Sequence, residues 1–170
     1  PDPAVRAAAL RALHRTGMLT ADDLRRAATD PSPRVRQATA ALLAAWDTAD
    51  SCVPALGLLH DDDPMVVETA AWAAGERLPP GSAVLDRLCE LGASHPDPLV
   101  REAAVAALGA IGDERGLPVV LAATSDRPAV RRRAVLALAA FSGPEVNAAL
   151  DRARHDRDPQ VRAAAEDLLA

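Results

Sequence analysis

The sequence contains no lysine and no tyrosine, and its only aromatic residues are Trp46, Trp72 and Phe141. With so little aromatic mass, the interior has to be built from alanine, leucine and valine, whose small side chains let helices approach closely. All 19 basic residues are arginine beside abundant alanine, a biased coding composition on which no mechanism is built. No run of 18 apolar residues occurs and the first residues show no charged-then-apolar leader, which argues against a membrane span and a secretory signal. A cytoplasmic protein is expected. Cys52 and Cys89 stand apart in apolar stretches, a pattern that fits reduced core thiols better than a disulfide framework or a metal site. Because the sequence opens on Pro1 and immediately enters a repeat motif, residues 1–170 are expected to be one repeat domain taken from a longer chain.

What is present is a repeat. Motif prolines at Pro3, Pro33, Pro64, Pro98, Pro128 and Pro159 are spaced by 30, 31, 34, 30 and 31 residues. Each is followed two residues later by valine, and in five cases the next residue is an arginine: Arg6, Arg36, Arg101, Arg131 and Arg162. The third repeat has Val67 there instead. A near-fixed period in this range marks stacked helical units, each contacting only its neighbours. Pro118-Val119-Val120 and Pro144-Glu145-Val146 repeat the spacing out of phase but lack the arginine, so they are not counted.

The residue before each motif proline is Asp2, Ser32, Asp63, Asp97, Arg127 or Asp158, five of them good N-cap types ahead of proline at the first helical position. Each motif therefore starts a helix. Val100, Ala104, Ala107, Leu108 and Ile111 recur at helical spacing and define a buried stripe. Glycine is expected to end helices at Gly17, Gly112 and Gly143. A second helix follows in each unit, at roughly 21–29, 51–59, 82–93, 117–124 and 144–154. The fold predicted is an all-α, right-handed α-solenoid of about five and a half helical hairpins.

An arginine in the first turn of a helix lies against the positive end of the macrodipole and needs compensation. The loop acids, Asp30, Asp61 to Asp63, Asp97, Asp126, Asp156 and Asp158, are the natural acceptors, giving a ladder of arginine–carboxylate pairs that fixes stacking.

The run Asp97-Pro98-Leu99-Val100-Arg101-Glu102-Ala103-Ala104-Val105-Ala106-Ala107-Leu108-Gly109 resembles HEAT-like repeats of the phycobilisome-lyase type, and the resemblance extends along the whole chain. It implies protein-interaction scaffolds first. Bilin-lyase subunits, iron hydroxylases and, more distantly, DNA-repair glycosylases belong to the same circle. The hydroxylases carry His-Glu pairs, whereas His14, His60, His95 and His155 are followed by Arg15, Asp61, Pro96 and Asp156. That branch does not fit.

If the proline-started helices line the concave face, as in similar proteins, positions one, four and eight after the proline point along it. The third and fourth repeats put Met65, Glu68, Trp72, Leu99 and Glu102 there, and the fifth puts Arg132. Large apolar and aromatic side chains in a groove are typical anchors for a peptide. Trp72 is expected to be at least partly exposed. Trp46, thirteen residues after its proline like Ile111 and Phe141, is expected to be core.

Formal charge is +3 over residues 1–46, −9 over 47–113 and +1 over 114–170. A nucleic-acid binder would show a continuous basic stripe with stacking aromatics, and only Arg131-Arg132-Arg133 clusters. Histidines beside aspartates at the turns, His60, His95 and His155, read as helix-end residues next to N-caps and not as metal ligands. No nucleophile–base set and no glycine-rich phosphate loop can be assembled. The reading is a non-catalytic scaffold for a protein or peptide partner, with no cofactor and no membrane. A bilin-lyase-like subunit and a nucleic-acid module like the HEAT-like glycosylases are the alternatives.

Overall fold

The computed structural model describes residues 2–46, 52–76 and 81–169. All six motif prolines open a helix: α1 (Pro3–Arg15), α3 (Pro33–Leu43), α5 (Pro64–Gly75), α7 (Pro98–Ile111), α9 (Pro128–Ala137) and α11 (Pro159–Leu169). Between them run α2 (Ala21–Ala28), α4 (Cys52–Leu58), α6 (Ser82–Ser94), α8 (Leu117–Ala123) and α10 (Pro144–Ala153). The start of the second hairpin's predicted partner helix, Ser51, lies outside the described residues. Motif helices pack on motif helices, α1 on α3 through to α9 on α11, and α2, α4, α6 and α8 form a second row behind them. The chain is an α-solenoid. No strand occurs among the described residues, and none of their helices is long and apolar enough to cross a membrane.

Helix starts follow from the cap chemistry. The side chains of Asp2, Asp63, Asp97 and Asp158 accept hydrogen bonds from the backbone N–H two residues on, at 2.7 to 2.9 Å. Ser32 makes no such bond, although it was expected to; its own N–H donates to Asp30 instead. At the other ends, Gly112 takes the left-handed conformation that closes α7, and Gly17 follows α1 in the same conformation. Gly143 does not stop a helix. A 3-10 turn at Leu138–Ala140 closes off α9, and Gly143, with φ at 125°, is the N-cap of α10.

The core is a continuous sheet of Leu, Val and Ala between the two rows. The motif valine is buried in five repeats, while Val5, over which no described element packs, is 60% exposed. Trp46 is a correction to the sequence reading: it lies three residues past the end of α3 and is half-buried against the core edge, as is Ile111, while Phe141 is buried. Cys89 is likewise half-buried on α6, its thiol within 3.8 Å of the Arg115 carbonyl, and burial pushes its pKa up.

Small residues set the helix separation. A Cβ placed on Gly109 would come within 2.7 Å of the Ala137 backbone, and one on Gly75 within 2.8 Å of the Ala107 backbone. α7 therefore sits against both neighbours at a distance that only glycine permits.

Arginine and aspartate tie the turns. Arg6 grips Asp30 with two bonds of 2.8 and 2.7 Å, Arg36 grips Asp61, Arg101 grips Asp126 and Arg131 grips Asp156 in the same bidentate way. The same guanidinium also reaches back to a carbonyl in the turn preceding its own helix: Asp30 for Arg36, His95 for Arg101, Asp126 for Arg131. One side chain thus spans two successive turns. Among the described residues, Arg162 makes the backward bonds alone, to the carbonyls of Asp156 and Arg157. The other loop acids divide differently, with Asp63, Asp97 and Asp158 acting as helix caps.

These pairs shift the aspartates. Hydrogen bonds from Arg6, Arg101 and Arg131 hold Asp30, Asp126 and Asp156 below the usual carboxylate range, while at Asp61 burial pushes upward and is outweighed by Arg36 and the N–H of Asp63. A depressed folded-state pKa contributes stability that is present above the unfolded value of about 3.9 and is lost as pH falls through the folded value.

Two measurements check this account. Gly109→Ala is expected to lower stability by about 1 to 3 kcal/mol through overpacking, whereas Gly57→Ala in α4, with nothing within 4 Å of the added methyl, should be neutral or stabilising by up to about 1 kcal/mol. In thermal melts across pH, the unfolding temperature should hold between pH 7 and 5 and fall steeply below about 4. Arg131→Ala, which removes a nearly buried guanidinium and its bond to the Asp126 carbonyl, should reduce that acid-dependent fall and lower stability at pH 7 more than Arg6→Ala, whose guanidinium is more exposed.

Candidate functional site

The face of the motif helices is built from the positions that the core and the ladder leave over. With Asp63 and Asp97 capping α5 and α7, Met65 and Leu99 stand on the first turns with 52% and 50% exposure. Glu68 and Trp72 follow Met65 at three and seven residues, on the same side of α5. Trp72 is 49% exposed, because its two neighbours in sequence, Ala71 and Ala73, take the buried slots and the indole projects between α5 and α7.

A cleft of about 300 Å³ lies between α5 and α7, lined by Glu68, Thr69, Trp72, Leu99 and Glu102, with Arg133 of α9 closing one side. A second, of about 280 Å³, continues from Glu102 over Arg132, Arg133 and Leu136 to Gln160 of α11. A third of about 420 Å³ lies lower, between α7 and α9, around Ala106, Ala110 and Leu136. Shared walls make the three a single groove across four helices.

Of the residues singled out from sequence, Glu68, Trp72, Leu99 and Glu102 meet in the first cleft and Arg132 lines the second. Met65 is exposed on the same helix but lines none of these clefts. Ala7, four residues after Pro3 and so in the row expected to point outward, is fully buried. Sequence reasoning missed the row five residues after the proline, which contributes Thr69, Ala103 and Arg133. Its signal was legible: an arginine at 133 where the other repeats hold alanine or threonine.

Electrostatically the groove is divided. Burial raises the Glu68 carboxyl above its ordinary value, and the charges of Asp97 and Glu102 push the same way. Glu102 lies 3.5 Å from Arg133. The His–Asp turns do not gather into a metal site: the Nδ1 of His95 accepts the N–H of Asp97, and among the described residues no group of three His, Cys, Asp or Glu side chains could hold an ion.

A HEAT-repeat family model matches residues 1–75, 21–93, 55–129 and 85–170, which together span the chain. The chain belongs to the HEAT-repeat family. This HEAT-repeat protein resembles YibA of Escherichia coli at 17% identity and a TM-score of 0.70, covering 89% of its own length and 58% of that chain. It also resembles a designed armadillo repeat protein in complex with the peptide (KR)4, at 19% identity and a TM-score of 0.70 over 94% of this chain and 84% of that one. Computationally designed armadillo repeat proteins for modular peptide recognition match at 20% identity and a TM-score of 0.67, again over 94% and 84%. No curated protein matches in sequence.

The half-exposed indole gives a direct check. Trp72→Ala should cost about 1 to 2 kcal/mol in denaturant unfolding, well below the 3 to 5 typical of a core tryptophan; a loss in the core range would show that Trp72 is packed inside.

Proposed function

We propose that this HEAT-repeat chain is a non-catalytic module that binds a protein or peptide partner along the concave face of its motif helices. The observation that carries this is the row of large apolar side chains, Met65, Trp72, Leu99 and Leu136, left exposed on one face beside clefts that run from helix to helix. Isolated exposed apolar residues are ordinary, but a contiguous set with an aromatic at its centre and charged residues at its rim is the composition of an interface core. Designed proteins of the same fold recognise peptides, as their descriptions state, and that supports the same use of the face here. Met65, Glu68, Trp72, Leu99, Glu102 and Arg132 are the contact residues of this reading. Arg6, Arg36, Arg101, Arg131 and Arg162 are assigned to holding the repeats in register.

A randomised peptide display library panned on the wild-type protein, with the Met65→Ala, Trp72→Ala double variant as counter-target, tests it. Peptides that enrich on the wild type and not on the variant are the expected result. Enrichment that ignores the double substitution would place binding elsewhere on the molecule.

A further inference from the structure

The groove grows less acidic along its length: Glu68, Glu102 and Arg133 line the first cleft, and Glu102, Asp158, Arg132 and Arg133 line the second. At the α5–α7 end Glu68 and Glu102 flank the half-exposed Trp72, and Glu68 makes no hydrogen bond or ion pair among the described residues. Its neighbour's ion pair is loose: Arg133 is 43% exposed and sits 3.5 Å from Glu102, beyond the 2.7 to 2.9 Å of a direct charge-assisted bond. One repeat further on, Arg132 is exposed in the second cleft and makes no ion pair among the described residues, while Asp158 in the same cleft caps α11 through the N–H of Gln160. The ladder arginines are spoken for; among the described residues Glu68 and Arg132 are not.

Resting on the reading of this face as a peptide groove, we propose that its occupant is an extended segment of bipolar chemistry. An arginine or lysine sits between Glu68 and Glu102 against the indole of Trp72, a large apolar residue follows on Leu99, and a carboxylate reaches Arg132. A cation over an indole and between two carboxylates gains from both. It also relieves the burial and like-charge repulsion that raise the Glu68 carboxyl. Spacing follows from geometry. Packed helices lie about 8 to 10 Å apart, so the cation site between α5 and α7 and the anion site on α9 are about one and a half steps, or 12 to 15 Å, from each other. An extended chain rises about 3.3 Å per residue with alternate side chains on one face, which places cation, apolar residue and acid at i, i+2 and i+4. The pattern is Arg-x-Leu-x-Glu or its reverse, since an extended chain can lie in either direction.

Fluorescein-labelled peptides built on Arg-x-Leu-x-Glu, Gln-x-Leu-x-Gln and Glu-x-Leu-x-Glu, titrated with the protein by anisotropy at about 0.1 M salt, test the assignment. The bipolar peptide should bind at least about tenfold tighter than the neutral one, and the acidic one weakest. Glu68→Gln should erase that advantage, and Trp72→Ala should weaken both. Equal affinity of charged and neutral peptides, both dependent on Trp72, overturns the bipolar assignment and leaves the groove reading standing. No Trp72-dependent binding up to about 1 mM also overturns it, and the groove reading is then decided by the library panning.

Discussion

The bidentate arginine–aspartate rung, repeated at four of the turns, is the interaction on which the geometry of this solenoid depends. Each guanidinium has five donors in a fixed plane, and here two go to the carboxylate of the following turn and, from the second rung on, one to a carbonyl of the preceding turn. Three bonds from one planar group fix the separation and the angle of two successive turns at once. Lysine, a point charge with freely rotating donors, could not do this. The rung also answers its own electrostatic problem, since an arginine in the first turn of a helix opposes the macrodipole and is stabilised only by a carboxylate brought in from elsewhere. Partial burial strengthens the pairing and raises the penalty for breaking it.

The third repeat shows what happens when a rung is withdrawn. Val67 replaces the arginine, and the turn before Pro98 has His95 where the turns before Pro33, Pro64 and Pro159 have Asp30, Asp61 and Asp156. Both charges are absent together, so neither is left buried and unpaired, and replacement of an ion pair by an apolar group is often neutral for stability. His95 keeps the second duty of the lost aspartate: its Nδ1 accepts the N–H two residues on, as the Oδ1 atoms of Asp30, Asp61 and Asp156 do. What replaces the rung is contact. Val67 is buried, and the glycine at 75 lets α5 close on Ala107 of α7. The α7–α9 junction has the same close approach, Gly109 on Ala137, in addition to its Arg101–Asp126 rung, whereas the α5–α7 junction has the packing without the charge pair.

Most of the fold could be read from six prolines, because proline after a capping residue fixes a helix start locally and the period fixes how often that happens. The six motif helices begin at those residues. The groove was partly legible for the same reason: the phase of a helix decides which side chains cannot be core, and Glu68, Trp72, Leu99 and Glu102 fall together on that basis. What escaped depended on neighbours. Ala7 is buried and Val5 exposed, the reverse of what the periodicity of α1 suggests. Trp46 lies past the end of α3 at Leu43 and its indole is at the core edge, and Ile111, at the same slot inside α7, is also only half-buried, so reaching the slot by helix does not by itself make it core. Gly143 was ambiguous because the same residue type ends one helix and begins another, and only the 3-10 turn after α9 decides between them.

The division of labour along each motif helix explains how such a face can acquire chemistry. The capping residue, the proline, the valine and the arginine are committed to helix start, core and ladder, and changing any of them disturbs the stack. Positions one, four and eight after the proline answer to none of these constraints in the interior repeats, so the sequence there can vary with little structural penalty. That is where Arg34, Met65, Leu99, Ala129 and Gln160 differ from repeat to repeat at one slot, and Ala41, Trp72, Ala106 and Leu136 at another. A surface assembled from structurally unconstrained positions, each displaced by one helix spacing from the next, reads a ligand residue by residue. Its selectivity then depends on which side chains occupy consecutive repeats, and at α5, α7 and α9 those are an acid, an acid and an arginine.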